Sequence, residues 1–482
     1  MTFQKLESLI AGAPHVFELY LAIVGELWEH AAADVRKLLG PSHHYWDRAG
    51  AMDKAERRLS SLNELTSTDV LTGGFETYRT ALVGLIVAER QAGDSPDHLP
   101  LAFALRLLFR MDSLVGGVLL ASEFCTYPEA PSTGFTIVAR RSPYYAPDRM
   151  DRPLSQLRDR DSLRAAFWSI LRTTYVIPPP AGELTIRWSV RRLPDLVEAR
   201  LLMKGRKRIL LVALPHDIEA LNCSVDRLRR SFAVHGLTPG AEARVVDEVR
   251  SLLDEQLRRR PWSVILLPEY AGTPAVRACV REVVGRHPHR TALVVPGSTR
   301  EGDGPSRNHC RCLGPDGSEG PHLPAHSKRS RFELTRSRVP EKHRAEIDAC
   351  GGSVTEAIEI EDCELIFWDS SVLKRTVILI CKDLLDDPTR FFLRMHYMDH
   401  IFVPAMTPTL DDFAGEGVDL ALLLGAGLYI ANAPLWQGDH ADRPAALAYR
   451  PIRGAHQNTV RSCAATHAVC TYGFDLVTGW MD

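Results

Sequence analysis

No surplus of either charge, no dense set of cysteines and no long apolar run mark this chain of 482 residues. Its 58 Lys and Arg stand against 60 Asp and Glu, a formal net charge of −2, so no global field draws it to nucleic acid or to a membrane surface. Partners must therefore be argued locally. Ten cysteines are too sparse for a disulfide scaffold, and most lie in apolar or helix-like runs, which points to a reducing, cytoplasmic compartment. The longest apolar stretches, such as LVGGVLLA at 114–121, fall well short of the roughly 20 residues that span a bilayer. Glu7, Glu18 and Glu26 break the apolar core that a secretory leader needs, so no signal peptide is expected. Internal repeats and low-complexity tracts are absent. So is G-x-S-x-G, which removes the nucleophile elbow of a serine hydrolase.

What is present falls into two halves. The chain is too long for one ordinary core, so two domains or one enlarged domain are expected. Up to about residue 125 the pattern is helical: 76–90 (ETYRTALVGLIVAER) and 99–121 place apolar residues three and four apart. A loop-rich stretch follows, then a helix-like 161–175. The triplet Pro178-Pro179-Pro180 cannot continue a helix and reads as a hinge or linker. From Lys207 the rhythm changes. Short Val-, Ile- and Leu-rich runs at 208–215, 263–270, 291–298, 376–383, 400–407 and 427–434 alternate with amphipathic segments such as 241–260 and 273–287. Continuous aliphatic runs suit strands buried on both faces, and their alternation with helices predicts an α/β layered domain. The expected division is a mainly helical domain over 1–204 and an α/β domain over 205–482.

Three run ends in the second half carry reactive groups. ILLPEY ends near Glu269, AHSK supplies Lys328, and VILICKD places Cys381 after four aliphatic residues. A free thiol is only a few per cent ionised at neutral pH, so a nucleophilic cysteine needs a base or a cation beside it. Glu269 is suited to take the thiol proton, and Lys328 to stabilise a negatively charged oxygen.

In that chain order, LLPE, HSK and ICKD resemble the motifs of the nitrilase superfamily of carbon–nitrogen hydrolases, which use a Glu-Lys-Cys triad. GLYIANA, ending at Asn432, is similar to the late strand of that family. The resemblance covers roughly residues 205–482. It implies an α-β-β-α sandwich, hydrolysis of an amide, carbamoyl or nitrile bond through a thioester on Cys381, and no metal or organic cofactor. It also implies a small-molecule amide-type substrate and a homo-oligomer. The roles it implies are Glu269 as base, Lys328 as oxyanion stabiliser and Cys381 as nucleophile. A second glutamate that orients the triad is expected at Glu333, with Glu341 as rival. The backbone N–H of Lys382 is expected as a further oxyanion donor.

Several features depart from the family's pattern. Lys382 stands where an aromatic or amide residue commonly follows the cysteine; its charge would favour a negatively charged substrate if it faced the pocket. Asp386-Asp387-Pro388 replaces the usual Pro-Glu, and an insertion is expected around EKHRAEIDACGGSVTEA. The appended first domain and the altered loop leave open a second reading, a catalytically silent module acting in assembly or ligand sensing. The run 328–344 holds seven Lys or Arg against two Glu, a solvated face or an anion-binding patch. Its only aromatic is Phe332, which argues against nucleic-acid binding. His309, Cys310 and Cys312 with His322 and His326 lack the spacing of a structural zinc site. His396 and His400 would share a helix face but have no glutamate at the H-E-x-x-H position, and GAG at 425–427 lacks the strand-first setting of a dinucleotide loop.

Overall fold

Each of the short aliphatic runs contains a strand in the computed structural model: Arg208–Ala213, Val264–Leu266, Leu293–Val295, Lys374–Ile378, His400–Ala405 and Gly427–Asn432. The chain divides into two units, Met1–Thr185 and Ile186–Asp482. The structure describes residues 1–30, 45–62, 74–92, 98–121, 126–127, 136–139 and 174–177 of the first. Of the second it describes 188–214, 216–301, 307–360, 364–396, 398–424, 426–436, 442–452, 455–464, 469–476 and 478–481.

Among the described residues of the first unit are five helices, Phe3–Gly12, Val16–His30, Tyr45–Leu59, Phe75–Gln91 and Leu99–Ala121. Thr126–Tyr127, Thr136–Ala139 and Thr174–Ile177 form a small antiparallel sheet beside them. Asp112 ties this sheet to the helices, accepting from the Thr174 N–H at 3.1 Å and its hydroxyl at 2.6 Å, while Tyr20 reaches the same hydroxyl. The helix expected over 161–175 falls mostly outside the described residues, and Thr174 opens a strand instead. The triplet Pro178–Pro180 also lies outside them.

The second unit is mixed α/β. One sheet has the order Leu293–Val295, Val264–Leu266, Arg208–Ala213, Cys470–Asp475, Gly479–Met481, its first three strands parallel. Along these strands the side chains alternate between two cores. Ile209, Leu211, Val264, Leu266, Leu293 and Val295 share a core with a seven-stranded sheet, whereas Leu210, Val212, Ile265 and Val294 join a second core. That second core is roofed by the helices Pro239–Arg259 and Pro274–Arg286. The first helix buries Ala241, Val245, Val249, Leu253 and Leu257, one side chain per turn. A strand covered on both faces has no use for a polar alternation, which is why these runs read as continuous aliphatics.

The seven-stranded sheet has the order Ala455–Ala464, Asp442–Ile452, Gly427–Asn432, His400–Ala405, Lys374–Ile378, Leu365–Ser370, Trp188–Arg192. Lys374–Ile378, His400–Ala405 and Gly427–Asn432 run parallel, so their carboxyl ends lie along one edge. His400 opens a strand while His396 closes the helix Asp387–His396, so the shared helix face expected of the two histidines does not exist. Gly427 likewise begins a strand, and Gly425 lies outside the described residues. Cys463 and Cys470 are joined by a disulfide; Cys223, Cys279, Cys310, Cys312, Cys350 and Cys381 are free. No helix of the described residues is long and apolar enough to cross a membrane.

Candidate active site

Two turns past parallel strands of the two sheets, and one past a strand of a small antiparallel sheet, each deliver one polar group. Past Val264–Leu266, Leu267 and Pro268 lead to Glu269, whose N–H donates to the Ala405 carbonyl at 3.3 Å and so pins the turn to the facing sheet. The next residue, Tyr270, adopts φ +57°. This turn is backed by Gly297 at φ +83°, where an added Cβ would lie 2.1 Å from the Pro268 carbonyl oxygen. Both the angle and the close approach require glycine. Gly297→Ala should therefore shift the Glu269 turn and lower stability by on the order of 2–4 kcal/mol. A melting curve would check this, and an unchanged midpoint would refute it.

Past Lys374–Ile378, Cys381 takes φ +47°, a left-handed conformation uncommon for a residue with a side chain, and opens a short 3-10 turn, Cys381–Leu384. The turn is held by Asp383. Its carboxylate accepts from the Ile380 N–H at 3.3 Å, the Arg329 N–H at 2.9 Å, the Ser330 N–H at 2.8 Å and His326 Nε2 at 2.8 Å. Two of those donors follow Lys328 directly, so Asp383 fastens the lysine loop to the cysteine turn. This explains the aspartate of I-C-x-D in physical terms.

Lys328 follows the strand Ala325–Ser327, which pairs with Arg307–Arg311. Its ammonium donates to Glu269 Oε1 at 2.7 Å and to Glu356 Oε2 at 2.8 Å, with all three side chains buried. Asn308 Nδ2 adds a donor to Glu269 Oε1 at 2.8 Å. Glu356 also accepts from the Tyr270 hydroxyl at 2.7 Å and the Phe332 N–H at 3.1 Å. The Cys381 thiol lines the same cleft as Glu269 and Lys328, and the Met406 N–H favours its ionised form. Asn432 positions that donor. Its side-chain amide accepts from the Thr407 N–H at 3.0 Å and donates to the Thr407 carbonyl at 2.9 Å, fixing the loop that starts at Met406.

Burial sets the charge states. It pushes the Glu269 carboxyl up, opposed by the Lys328 ammonium and reinforced by Glu356. Burial alone would pull Lys328 down, but Glu269, Glu356 and Cys381 outweigh it and hold the ammonium well above its ordinary value. The Cys381 thiol lies well above the usual thiol range, through burial first and the neighbouring Glu269 second. At neutral pH the sulfur thus keeps its proton at rest, next to a carboxylate placed to remove it. An open cleft of about 530 Å³, counting the solvent at its mouth, gives access to the cluster. Its walls are mainly apolar, with Phe232, Val234, Phe332, Leu334, Met406 and Leu435.

Glu269, Lys328 and Cys381 are therefore brought together. Glu333 and Glu341 are not in this cluster. Glu333 is exposed on a strand whose Leu334 turns to the cleft, and Glu341 is exposed at the start of the helix Glu341–Ala349, its N–H bonded to Glu219. The carboxylate on the far side of Lys328 is Glu356, from within the segment expected to be an insertion. That segment forms a helix and the strand Ser353–Glu356, in which Val354 and Glu356 are both buried and Thr355 is exposed. Only Val354 is apolar in S-V-T-E, so the sequence carries no alternation that would have singled out Glu356. Lys382 is half-buried and is not among the side chains facing the cleft.

The anomalous Asp386 acts locally, as a cap on the following helix. It accepts from the Thr389 N–H at 3.1 Å and hydroxyl at 2.9 Å, while Asp387 is exposed. His309 bonds to Ser327 at 2.7 Å, and Cys310 and Cys312 are buried in the core. Among the described residues no group of three His, Cys, Asp or Glu side chains is arranged to hold a metal.

No protein-family model matches the chain, and no curated protein matches it. Solved structures do. A mutant of the amidase from Nesterenkonia sp. AN1, carrying the acetamide moiety of fluoroacetamide on its active-site cysteine, is 14% identical, covering 57% of this chain and 91% of that one at a TM-score of 0.36. Saccharomyces cerevisiae Nit3, a member of branch 10 of the nitrilase superfamily, is 12% identical over 56% of this chain and 90% of its own, with a TM-score of 0.36. Over a little more than half of its length the chain is similar to these nitrilase-superfamily structures, and at these identities and TM-scores nothing about its activity follows from the likeness.

Proposed function

We propose that the second unit is a cysteine-dependent hydrolase of carbon–nitrogen bonds other than peptide bonds, built on α-β-β-α layering and acting on a small amide-type substrate. The observation that carries this reading is Cys381, on a left-handed turn, lining one cleft with a buried Glu269 that accepts from the Lys328 ammonium at 2.7 Å. As the sulfur attacks the carbonyl carbon, Glu269 takes the thiol proton. The oxyanion is met by the Lys328 ammonium and the backbone N–H of Lys382. Glu269 then protonates the departing nitrogen, leaving a thioester on Cys381. Water attacks that thioester, giving its proton to Glu269, and the acid leaves as the thiol is restored. No step calls on a group beyond these residues and water. A homo-oligomer and a cytoplasmic setting belong to the same proposal.

The test is the selectivity of alkylation. Iodoacetamide should label Cys381 at least about tenfold faster than the buried Cys279 and Cys350, because only Cys381 has a base to ionise it. Glu269→Gln should slow that labelling by a similar factor. In parallel, ammonia release from a panel of simple amides should vanish in Cys381→Ala. Labelling of Cys381 no faster than that of Cys279, together with no ammonia release that depends on Cys381, would favour the silent module.

A further inference from the structure

Asn432 is held from two directions, and both lead to a cysteine. Its side-chain amide donates to the Pro444 carbonyl at 2.8 Å, and its own carbonyl accepts from the Leu214 N–H at 3.3 Å. Pro444 follows Arg443, the cross-strand partner of Cys463 in the seven-stranded sheet. Leu214 follows Ala213, the cross-strand partner of Cys470 in the five-stranded sheet. The Cys463–Cys470 disulfide thus joins the two sheets at the strands that hold Asn432. Cys463, Ala213 and Ala445 share a small buried cluster, with Cys470 packed against it. Pairing shifts register between Pro444 and Ala446, so the ladder is locally disrupted where the Pro444 carbonyl meets Asn432. On its other side the Asn432 amide grips the Thr407 N–H and carbonyl. The residue before, Met406, lines the cleft, and its N–H favours the Cys381 thiolate. A covalent tie between the sheets therefore bears on the loop that faces the nucleophile.

We propose that Cys463–Cys470 is a thiol–disulfide exchange site for a dithiol reductant, and that its redox state sets how firmly Asn432 holds the Met406 loop. Cys463 is 2% exposed, whereas Cys470 is half-buried at the first position of its strand, so a reductant approaches from the Cys470 side. Cys223, Cys279, Cys310, Cys312, Cys350 and Cys381 are free and buried, so among the described residues a dithiol finds a disulfide only here. A thiolate of the dithiol attacks Cys470 Sγ, the S–S bond breaks, and Cys463 leaves as a thiolate that takes a proton. The second thiolate of the dithiol attacks the mixed disulfide, Cys470 is released and protonated, and the reductant departs as its own disulfide. Two electrons pass to the protein in all. The open form keeps its strands but loses the tie between them, and the hold of Asn432 on Thr407 loosens.

The full chain should be equilibrated with oxidised glutathione and then treated with dithiothreitol at neutral pH without denaturant. Peptide mapping by mass spectrometry should show Cys463 and Cys470 linked before the treatment and separate after it. Across the same change the amide hydrogens of Met406 and Thr407 should exchange with solvent about tenfold faster or more, while those of Val264–Leu266 keep their rates. The double variant Cys463→Ser, Cys470→Ser should exchange at the reduced rate and no longer respond to dithiothreitol. Should that variant fail to fold, the two redox states of the wild type give the same comparison. Cysteines unlinked after glutathione, a bond that opens only in denaturant, or equal exchange of Met406 and Thr407 in the two states would overturn the proposal. No turnover is read, so the outcome is independent of the hydrolase reading.

Discussion

Lys328→Met should yield a protein that is both inactive and fragile. The lysine lies 2.7 Å from one buried carboxylate and 2.8 Å from another, and methionine keeps its bulk without its charge. Breaking a buried ion pair by removing one partner typically costs about 3–5 kcal/mol, because the remaining charge is left without compensation. Here two carboxylates lose their shared cation. The variant's response to pH follows from the direction of the shift. Burial already raises Glu269, and without the opposing ammonium it rises further. A carboxyl with a raised value in the folded state binds protons that the unfolded chain has released. The variant should therefore be most stable below the ordinary carboxylate range and lose stability as pH climbs through the raised value. Denaturant midpoints across that range should fall more than in the wild type, where the ammonium limits the rise of Glu269; a fall no larger than the wild type's would mean that Glu269 is not held by Lys328. On the proposed hydrolase reading, ammonia release should drop by about a thousandfold or more at any pH, since the proposed cationic donor to the oxyanion is gone.

Asp383→Ala should be nearly as severe, although the residue touches no substrate. Four donors lose their acceptor at once: the N–H groups of Ile380, Arg329 and Ser330, and the ring of the buried His326. Each unsatisfied buried group costs about 1–3 kcal/mol. The groups can relax together, so a total on the order of 3–5 kcal/mol is expected. Because two of the donors belong to the lysine loop and one to the cysteine turn, the separation of Lys328 from Cys381 should loosen as well. A misplacement near 1 Å is enough for a loss of about a hundredfold in rate. Asp383→Asn keeps one oxygen acceptor and should recover part of both. Melting curves and kcat measured on the two variants side by side would show whether fold and rate fail together. A stable Asp383→Ala enzyme of normal rate would remove the fastening role.

The meeting of Glu269, Lys328 and Cys381 was more legible in the sequence than the balance of charge around them. Glu269, Lys328 and Cys381 each close an aliphatic run or follow a short strand, and a run that ends in a polar residue is visible without coordinates. The strands themselves were readable because both faces of the sheet are covered. Glu356 was hidden for the opposite reason. Its strand has only four residues and sits in a polar segment, so neither hydrophobicity nor a strand-end proline marks it. Glu333 and Glu341 stood nearer to Lys328 in the chain, and proximity in sequence was a poor guide to which carboxylate faces the ammonium. Asn308 and Tyr270 gave no signal, since their contribution depends on side-chain direction across strands far apart in the chain. The expected helix face for His396 and His400 failed because the chain turns into a strand at His400, which the polar sequence between them does not announce.

Glu356 has one more consequence. The polypeptide from Phe332 to Glu356 supplies part of the cleft wall and the second carboxylate on the lysine. Cleft wall and charge balance thus come from one stretch of some two dozen residues that closes on itself through the Phe332 N–H. Such a stretch cannot be exchanged for another to alter what is bound while leaving the reaction intact. Any graft that resets the wall must also bring an acid to the same point, or the lysine will be left with one partner where the fold provides two.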